Sequence, residues 1–176
     1  MVYRIAWASL ILLPLVAAAD KPAGTEETRQ GVPNLYPFRT EGPDGKWGYI
    51  NSDGVVVIKP VYEAAGDFFD RRARETRSEQ TGYINEEGKW VFTLPEGWAA
   101  TRPFSEGLAG YAVGNMYSGK RGYLDRDGNI VVQPKYQQVG EFAGGLARVN
   151  IGAKWQFPGI WEGGKWGYID KAGRVV

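Results

Sequence analysis

The sequence predicts an all-β fold: tandem repeats of three-stranded antiparallel meanders, forming an open curved stack or closing like a small propeller. Three observations predict it. One eight-residue pattern occurs four times, turn-forming residues hold fixed places inside it, and a β-branched or aromatic run follows each occurrence. The composition agrees, with 25 glycines, 7 tryptophans, 10 tyrosines and 7 phenylalanines in 176 residues. Such a chain suits tight turns between aromatic-faced strands.

The four occurrences are Trp47-Gly48-Tyr49-Ile50-Asn51-Ser52-Asp53-Gly54, Thr81-Gly82-Tyr83-Ile84-Asn85-Glu86-Glu87-Gly88, Arg121-Gly122-Tyr123-Leu124-Asp125-Arg126-Asp127-Gly128 and Trp166-Gly167-Tyr168-Ile169-Asp170-Lys171-Ala172-Gly173. Their tyrosines recur at steps of 34, 40 and 45 residues. The increments fall before each Gly-Tyr and once before Pro95, where loops belong, so the strand cores keep register.

Each Asn or Asp can accept a backbone amide two residues on and start a turn. The glycine three residues later takes positive φ at no steric cost. A type I turn followed by such a glycine fits a short hairpin loop with a bulge, so the flanking runs pair antiparallel. The second strand of each hairpin is Val55–Ile58, Trp90–Phe92, Ile130–Val132 or Val175–Val176. The first strand of each meander lies earlier, at Leu35–Thr40, Arg72–Arg77, Leu108–Val113 and Leu146–Ile151. Pro60, Pro95 and Pro134 cannot donate to a ladder and are expected to end the third strand. The segment from each proline to Phe68, Phe104 or Phe142 carries the chain to the next meander. One meander buries too little apolar surface alone, so neighbours must stack.

Glycine costs stability inside a strand. Gly48, Gly82, Gly122 and Gly167 therefore suggest a close approach, with an aromatic over bare backbone. Tyr49, Tyr83, Tyr123 and Tyr168 never vary among the copies and are expected in the core. Trp47 and Trp166 are replaced by Thr81 and Arg121, so that tryptophan is dispensable.

Lys46 to Asn51 and Lys165 to Asp170, each followed by the turn glycine, resemble the WG (or KWG) β-repeat. So do Ile58 to Tyr62, Val132 to Tyr136 and Phe142 to Val149. The resemblance covers Leu35 to Val176, and the second copy departs most, lacking the tryptophan. It implies a bacterial, often exported, interaction module and carries over no catalytic residues.

The organisation that follows is a signal peptide over residues 1–19, a flexible lead-in over 20–33 and a repeat domain over 34–176. The repeats fall at about 34–70, 71–105, 106–143 and 144–176. Met1–Arg4 is a short basic start, Ile5–Val16 is apolar, and Ala17-Ala18-Ala19 offers the small residues a signal peptidase accepts, with cleavage after Ala19. A secreted or periplasmic location is expected, with no integral membrane segment after cleavage. Losing Arg4 leaves 20 basic and 20 acidic residues; a nucleic-acid partner would call for a basic excess, so none is expected. Arg71, Arg72, Arg74 and Arg77 form a local basic cluster diluted by Asp70, Glu75 and Glu79, read as a solvated strand edge.

The chain has no histidine and no cysteine. It therefore lacks the commonest general base and metal ligand, and no cofactor, metal or catalytic residue is expected. Asp125-Arg126-Asp127-Gly128 faintly resembles a calcium loop, but the further oxygen ligands are missing and the turn accounts for it. Asp67 and Glu141, with Glu63 and Glu106 nearby, could serve glycoside cleavage, yet their repeated placement suits structure. The candidate contacts for a partner are aromatic: Trp155, Phe157 and Trp161 in the longest insertion, and Trp98 in the irregular second connector. They could anchor a protein or stack on sugar rings, or the insertion could fold back and cap the last repeat. The reading is a non-catalytic interaction or scaffold module in the cell envelope, its partner an unknown protein or glycan. The alternatives are a carbohydrate-binding module and a small hydrolase.

Overall fold

The computed structural model describes residues 34–115, 119–156 and 159–176. The signal-peptide and lead-in segments lie outside the described residues. Strands β1 (Tyr36–Arg39), β2 (Trp47–Ile50) and β3 (Val56–Tyr62) form the first sheet. The second comprises β4 (Ala64–Ala65), β5 (Ala73–Arg77), β6 (Gln80–Ile84) and β7 (Trp90–Thr93). The third comprises β8 (Trp98–Ser105), β9 (Leu108–Val113), β10 (Lys120–Asp125) and β11 (Ile130–Tyr136). In the fourth sheet β12 (Gln138–Ala143) and β13 (Leu146–Ile151) pair with β16 (Lys165–Asp170), while β14 (Lys154–Gln156) and β15 (Ile160–Glu162) make a separate hairpin. Every ladder is antiparallel, so the fold is all-β, as the repeat pattern predicts.

The four corners are alike in atomic detail. Asn51 Oδ1 accepts the amides of Asp53 at 3.0 Å and Val55 at 2.9 Å. Asn85, Asp125 and Asp170 do the same for Glu87 and Lys89, Asp127 and Asn129, and Ala172 and Arg174. Gly54, Gly88, Gly128 and Gly173 close the turns at φ 76°, 74°, 87° and 78°.

Two expectations are corrected. The connectors are not plain links: β4, β8 and β12 each pair with the first strand of the following meander. Nor do Pro60 and Pro134 end the third strand. β3 and β11 run through them to Tyr62 and Tyr136, which still face Trp47 and Arg121. The ladder shifts register there, and on the long side of such a bulge a residue need not donate. Only in the second copy does the third strand stop short of its proline, at Thr93.

The strand glycines sit beside these shifts. A Cβ on Gly48 would lie 2.5 Å from the Ile58 carbonyl oxygen and 2.7 Å from Pro60 N. On Gly122 it would strike the Val132 carbonyl. The close approach is thus mainly the neighbouring strand's backbone, with an aromatic adding to it at Gly82 (Trp90) and Gly122 (Tyr111). Gly167 has nothing within 4 Å, because no third strand crosses it. There the third strand shrinks to one bridge, Ile169 to Val175.

Four sheets share three cores, each spanning two consecutive sheets. Tyr49, Ile58 and Tyr62 meet Ala73 and Ile84. Tyr83 and Phe92 meet Phe104 and Ala109. Tyr123, Val132 and Tyr136 meet Val139, Phe142, Ala147 and Ile169. Among the described residues, three junctions join the four sheets in sequence, with no closed barrel. In each junction the Gly-Tyr tyrosine lies edge-on to the next connector's phenylalanine. Centroids are 5.0 Å apart for Tyr49–Phe68, 5.0 Å for Tyr83–Phe104 and 4.8 Å for Tyr123–Phe142, and such pairs add about 0.5–1.5 kcal/mol to area burial.

Tyr168 departs from the predicted core role. It is 51% exposed, whereas Tyr49 and Tyr123 are at most 1% exposed. The phenylalanine that covers the other three tyrosines has no counterpart over Tyr168 among the described residues. Trp166 is likewise exposed, with the Arg148 guanidinium 4.3 Å from its ring.

Candidate functional site

The aromatic candidates do not form one site. Trp155 on β14 and Trp161 on β15 are directly paired across their hairpin. Their rings lie 5.4 Å apart at 73°, and both are half-buried. This edge-to-face pair is no coplanar platform for a sugar. Arg121 lies 5.4 Å from the Trp161 ring and also donates to the Gln137 carbonyl, which holds the hairpin against β10. Buried Asn150 ties down its base through Gly163 O and Ala153 N. Phe157 lies outside the described residues.

Trp98 is elsewhere. Its ring stacks on Tyr111 at 4.7 Å and 23°. Tyr111 pairs with Gly122, one residue along from Arg121 and hence on the opposite face of the sheet. Trp98 and Trp161 therefore address different sides of the third sheet.

The side that Trp98 addresses is open. The first and third junctions are filled by large side chains, but among the described residues the second core cluster is Tyr83, Phe104 and Ala109, with Phe92, Leu94 and Ala100 partly buried against it. Beside it runs a cleft with two lobes. One, of about 260 Å³, is lined by Arg72, Arg74, Tyr83, Thr101, Arg102 and Phe104 among others, with Asp67 at its wall. The other, of about 330 Å³, is lined by Ala64, Ala65, Thr76, Thr81, Trp98 and Ala99. Gly66, Arg74 and Ala100 border both lobes.

Arg74 gives the cleft its cationic character, since Arg72 pairs with Asp127 at 3.7 Å and Arg102 turns to the Tyr123 and Val139 side of the third sheet. Arg72 is largely buried and fixed: its Nε donates to Arg126 O at 2.9 Å. Arg102 Nε donates to Val139 O at 3.0 Å. Arg74 is exposed and makes no ion pair within 4 Å among the described residues. Burial pushes the Tyr83 hydroxyl up to about 12, with Arg74 pulling the other way. Thr101 Oγ1 is buried without a hydrogen-bond partner, a costly state. Thr76 and Thr81 hydroxyls meet at 3.1 Å in the second lobe. The basic cluster read as a solvated edge is in part this cleft wall.

Of the carboxylates considered for hydrolysis, Glu106 and Glu63 are engaged in structural contacts, while Asp67 stands at the cleft wall. Glu106 accepts the amides of Gly144 at 2.6 Å and Gly145 at 2.9 Å, and pairs with Lys171 at 3.1 Å. Its carboxyl is held below the usual range, first by Lys171 and then by the Gly145 amide. Asp70 repeats the device one copy earlier, accepting Gly107 N at 2.6 Å. Glu63 pairs with Lys46 at 3.7 Å and accepts Ser78 N at 3.2 Å.

Glu75 was seen in the sequence only as a diluent of the basic cluster. It is 1% exposed, hydrogen-bonded to the Tyr49 hydroxyl, and its Oε2 has no partner. The signal that finds both Glu75 and the cleft is departure from the repeat. Glu75 stands where the later copies have Tyr111 and Val149. Arg102-Pro103 replaces Gly66-Asp67 and Gly140-Glu141, Trp98 replaces Tyr62 and Tyr136, and one residue is inserted before Pro95.

Comparison with known proteins agrees with the repeated geometry. A family described as WG containing repeat matches residues 47–70 and 122–155. No curated protein and no solved structure matches the chain. The recurrent Gly-Tyr strand, the Asx-to-glycine corner and this match concur: the chain is a WG-repeat protein, its array built on the unit of the WG β-repeat family.

Proposed function

We propose that this WG-repeat array is an exported, non-catalytic binding module of the cell envelope, whose repeats serve as a scaffold for a contact surface. The observation that carries this reading is the use made of the carboxylates. Glu106 and Asp70 spend their oxygens on amides of the following copy, which fixes the stack and leaves them tied to backbone. Export rests on the basic, apolar and small-residue order of the first nineteen residues.

Crosslinking in intact cells, followed by capture of the tagged full-length product, tests the role. Recovery of a defined envelope partner supports it. A product that stays in the cytoplasm with Met1 intact, or that turns over an envelope polymer, refutes it. Carbohydrate binding is the second reading, favoured by one specific observation: the cleft of the second junction places Trp98 and three threonines along one wall system.

A further inference from the structure

We propose that the cleft between the second and third copies is a binding site for an acidic saccharide, a uronate-type unit whose carboxylate is held by Arg74, with Arg72 beside it. This rests on the proposed binding role and adds to it a site and a ligand class. The junction is built unlike its two neighbours. In the first and third, Tyr49 and Tyr123 donate to the carbonyls of Gly66 and Gly140 at 2.6 and 2.7 Å and the interface closes. In the second, Arg102 occupies the place of that glycine and the interface gapes.

Each feature of the gap matches one part of such a ligand. Guanidinium groups bind carboxylates through paired, parallel hydrogen bonds. Arg72 is pre-positioned by its bond to the Arg126 carbonyl and its pair with Asp127, so little of its freedom is lost on binding. Arg74, bordering both lobes, is the cleft-facing cation with no ion pair of its own among the described residues. The Thr76–Thr81 hydroxyl pair suits sugar hydroxyls. Tyr83 and Trp98 give the apolar walls that ring faces need. At about 260 and 330 Å³ the lobes are at the small end of ligand sites, a size for one ring each and not for an extended peptide.

The test is calorimetric titration of the full chain with trigalacturonate, neutral galactotriose and hexaglutamate. The site predicts saturable trigalacturonate binding with Kd below about 1 mM and at least tenfold weaker binding of galactotriose. Arg74→Ala and Trp98→Ala should each weaken trigalacturonate roughly tenfold, as expected for loss of a charged or stacking contact. Arg174→Ala, at the last corner, should change nothing, and circular dichroism checks that each variant is folded. Equal binding of the neutral sugar overturns the proposal. So does insensitivity to Arg74→Ala, or tighter binding of hexaglutamate with the same arginine dependence, which gives the cleft to acidic peptides. Absence of trigalacturonate binding in a chain that still captures its envelope partner defeats the cleft alone. Release of reducing ends from bound trigalacturonate defeats the non-catalytic role and leaves the site in place.

Discussion

The Tyr49 hydroxyl is the meeting point of two acceptors: Gly66 O, 2.6 Å away, and the buried carboxyl of Glu75. One hydroxyl hydrogen cannot serve both. Tyr49 donates to the carboxylate when Glu75 is ionised; once Glu75 is protonated its own proton can serve Tyr49, leaving the hydroxyl hydrogen to Gly66 O. The environment favours that state. Burial, the dominant cause, pushes Glu75 up to about 7, against the pull that donation from Tyr49 and the charge of Arg74 exert on the ionised form.

A pH dependence follows. The unfolded chain releases this proton near 4.5 and the folded chain near 7. Between those values the native state binds more protons, so stability falls as pH rises and levels off above pH 7. The loss is on the order of 3 kcal/mol. The neighbouring hydroxyls of Tyr49 and Tyr62 are both pushed above their ordinary range, first by burial, and stay neutral in that window. Urea denaturation from pH 4.5 to 8 should show the decline, and Glu75→Gln should flatten it. An unchanged slope in the variant would assign the dependence to other groups.

The tyrosines separate by position. Tyr123→Ala removes a buried ring packed on Phe142 and should cost about 3–5 kcal/mol. Tyr168→Ala, at the same motif position, removes a half-exposed ring and should cost under about 1 kcal/mol. Paired chemical denaturation curves measure the contrast, and equal losses would mean that Tyr168 is covered in solution.

Turn glycines separate likewise. At Gly54 an added Cβ meets nothing within 4 Å, so Gly54→Ala bears only the strain of φ 76°, about 1–2 kcal/mol. At Gly128 the same Cβ would lie 2.6 Å from Phe92 of the preceding copy. Gly128→Ala should therefore cost at least about 1 kcal/mol more than Gly54→Ala. Melting temperatures of the two variants, side by side, decide it.

Glu106→Gln keeps the shape of the side chain but loses charge-assisted acceptance of two amides and the pair with Lys171. Hydrogen exchange should speed up at Gly144 and Gly145, with little change in β5 and β6. A uniform rise across all four sheets would contradict the local role.

Much of the stack was legible in the sequence because its corners are made by local chemistry. Asn51, Asn85, Asp125 and Asp170 bond within four residues of themselves, so spacing alone reveals them. The connector pairing and the passage of β3 through Pro60 were hidden, since both depend on partners far along the chain. Tyr168 misled for the same reason: identity of motif does not carry identity of neighbour. The cleft was invisible because it arises from what the second junction fails to fill, while its arginines read as ordinary surface charge. The hairpin carrying Trp155 and Trp161 could be foreseen as an insertion, but their mutual edge-on packing could not.

The thin middle core has a mechanical consequence. Stability in a linear array is set by each unit and by its contacts with its neighbours, and here the central contact is the leanest of the three. Under tension or dilute denaturant the chain should part at its midpoint, releasing two half-arrays that each keep an intact interface. A molecule filling the gap would act as a rivet across that seam, so occupancy there would set how far the whole assembly can flex.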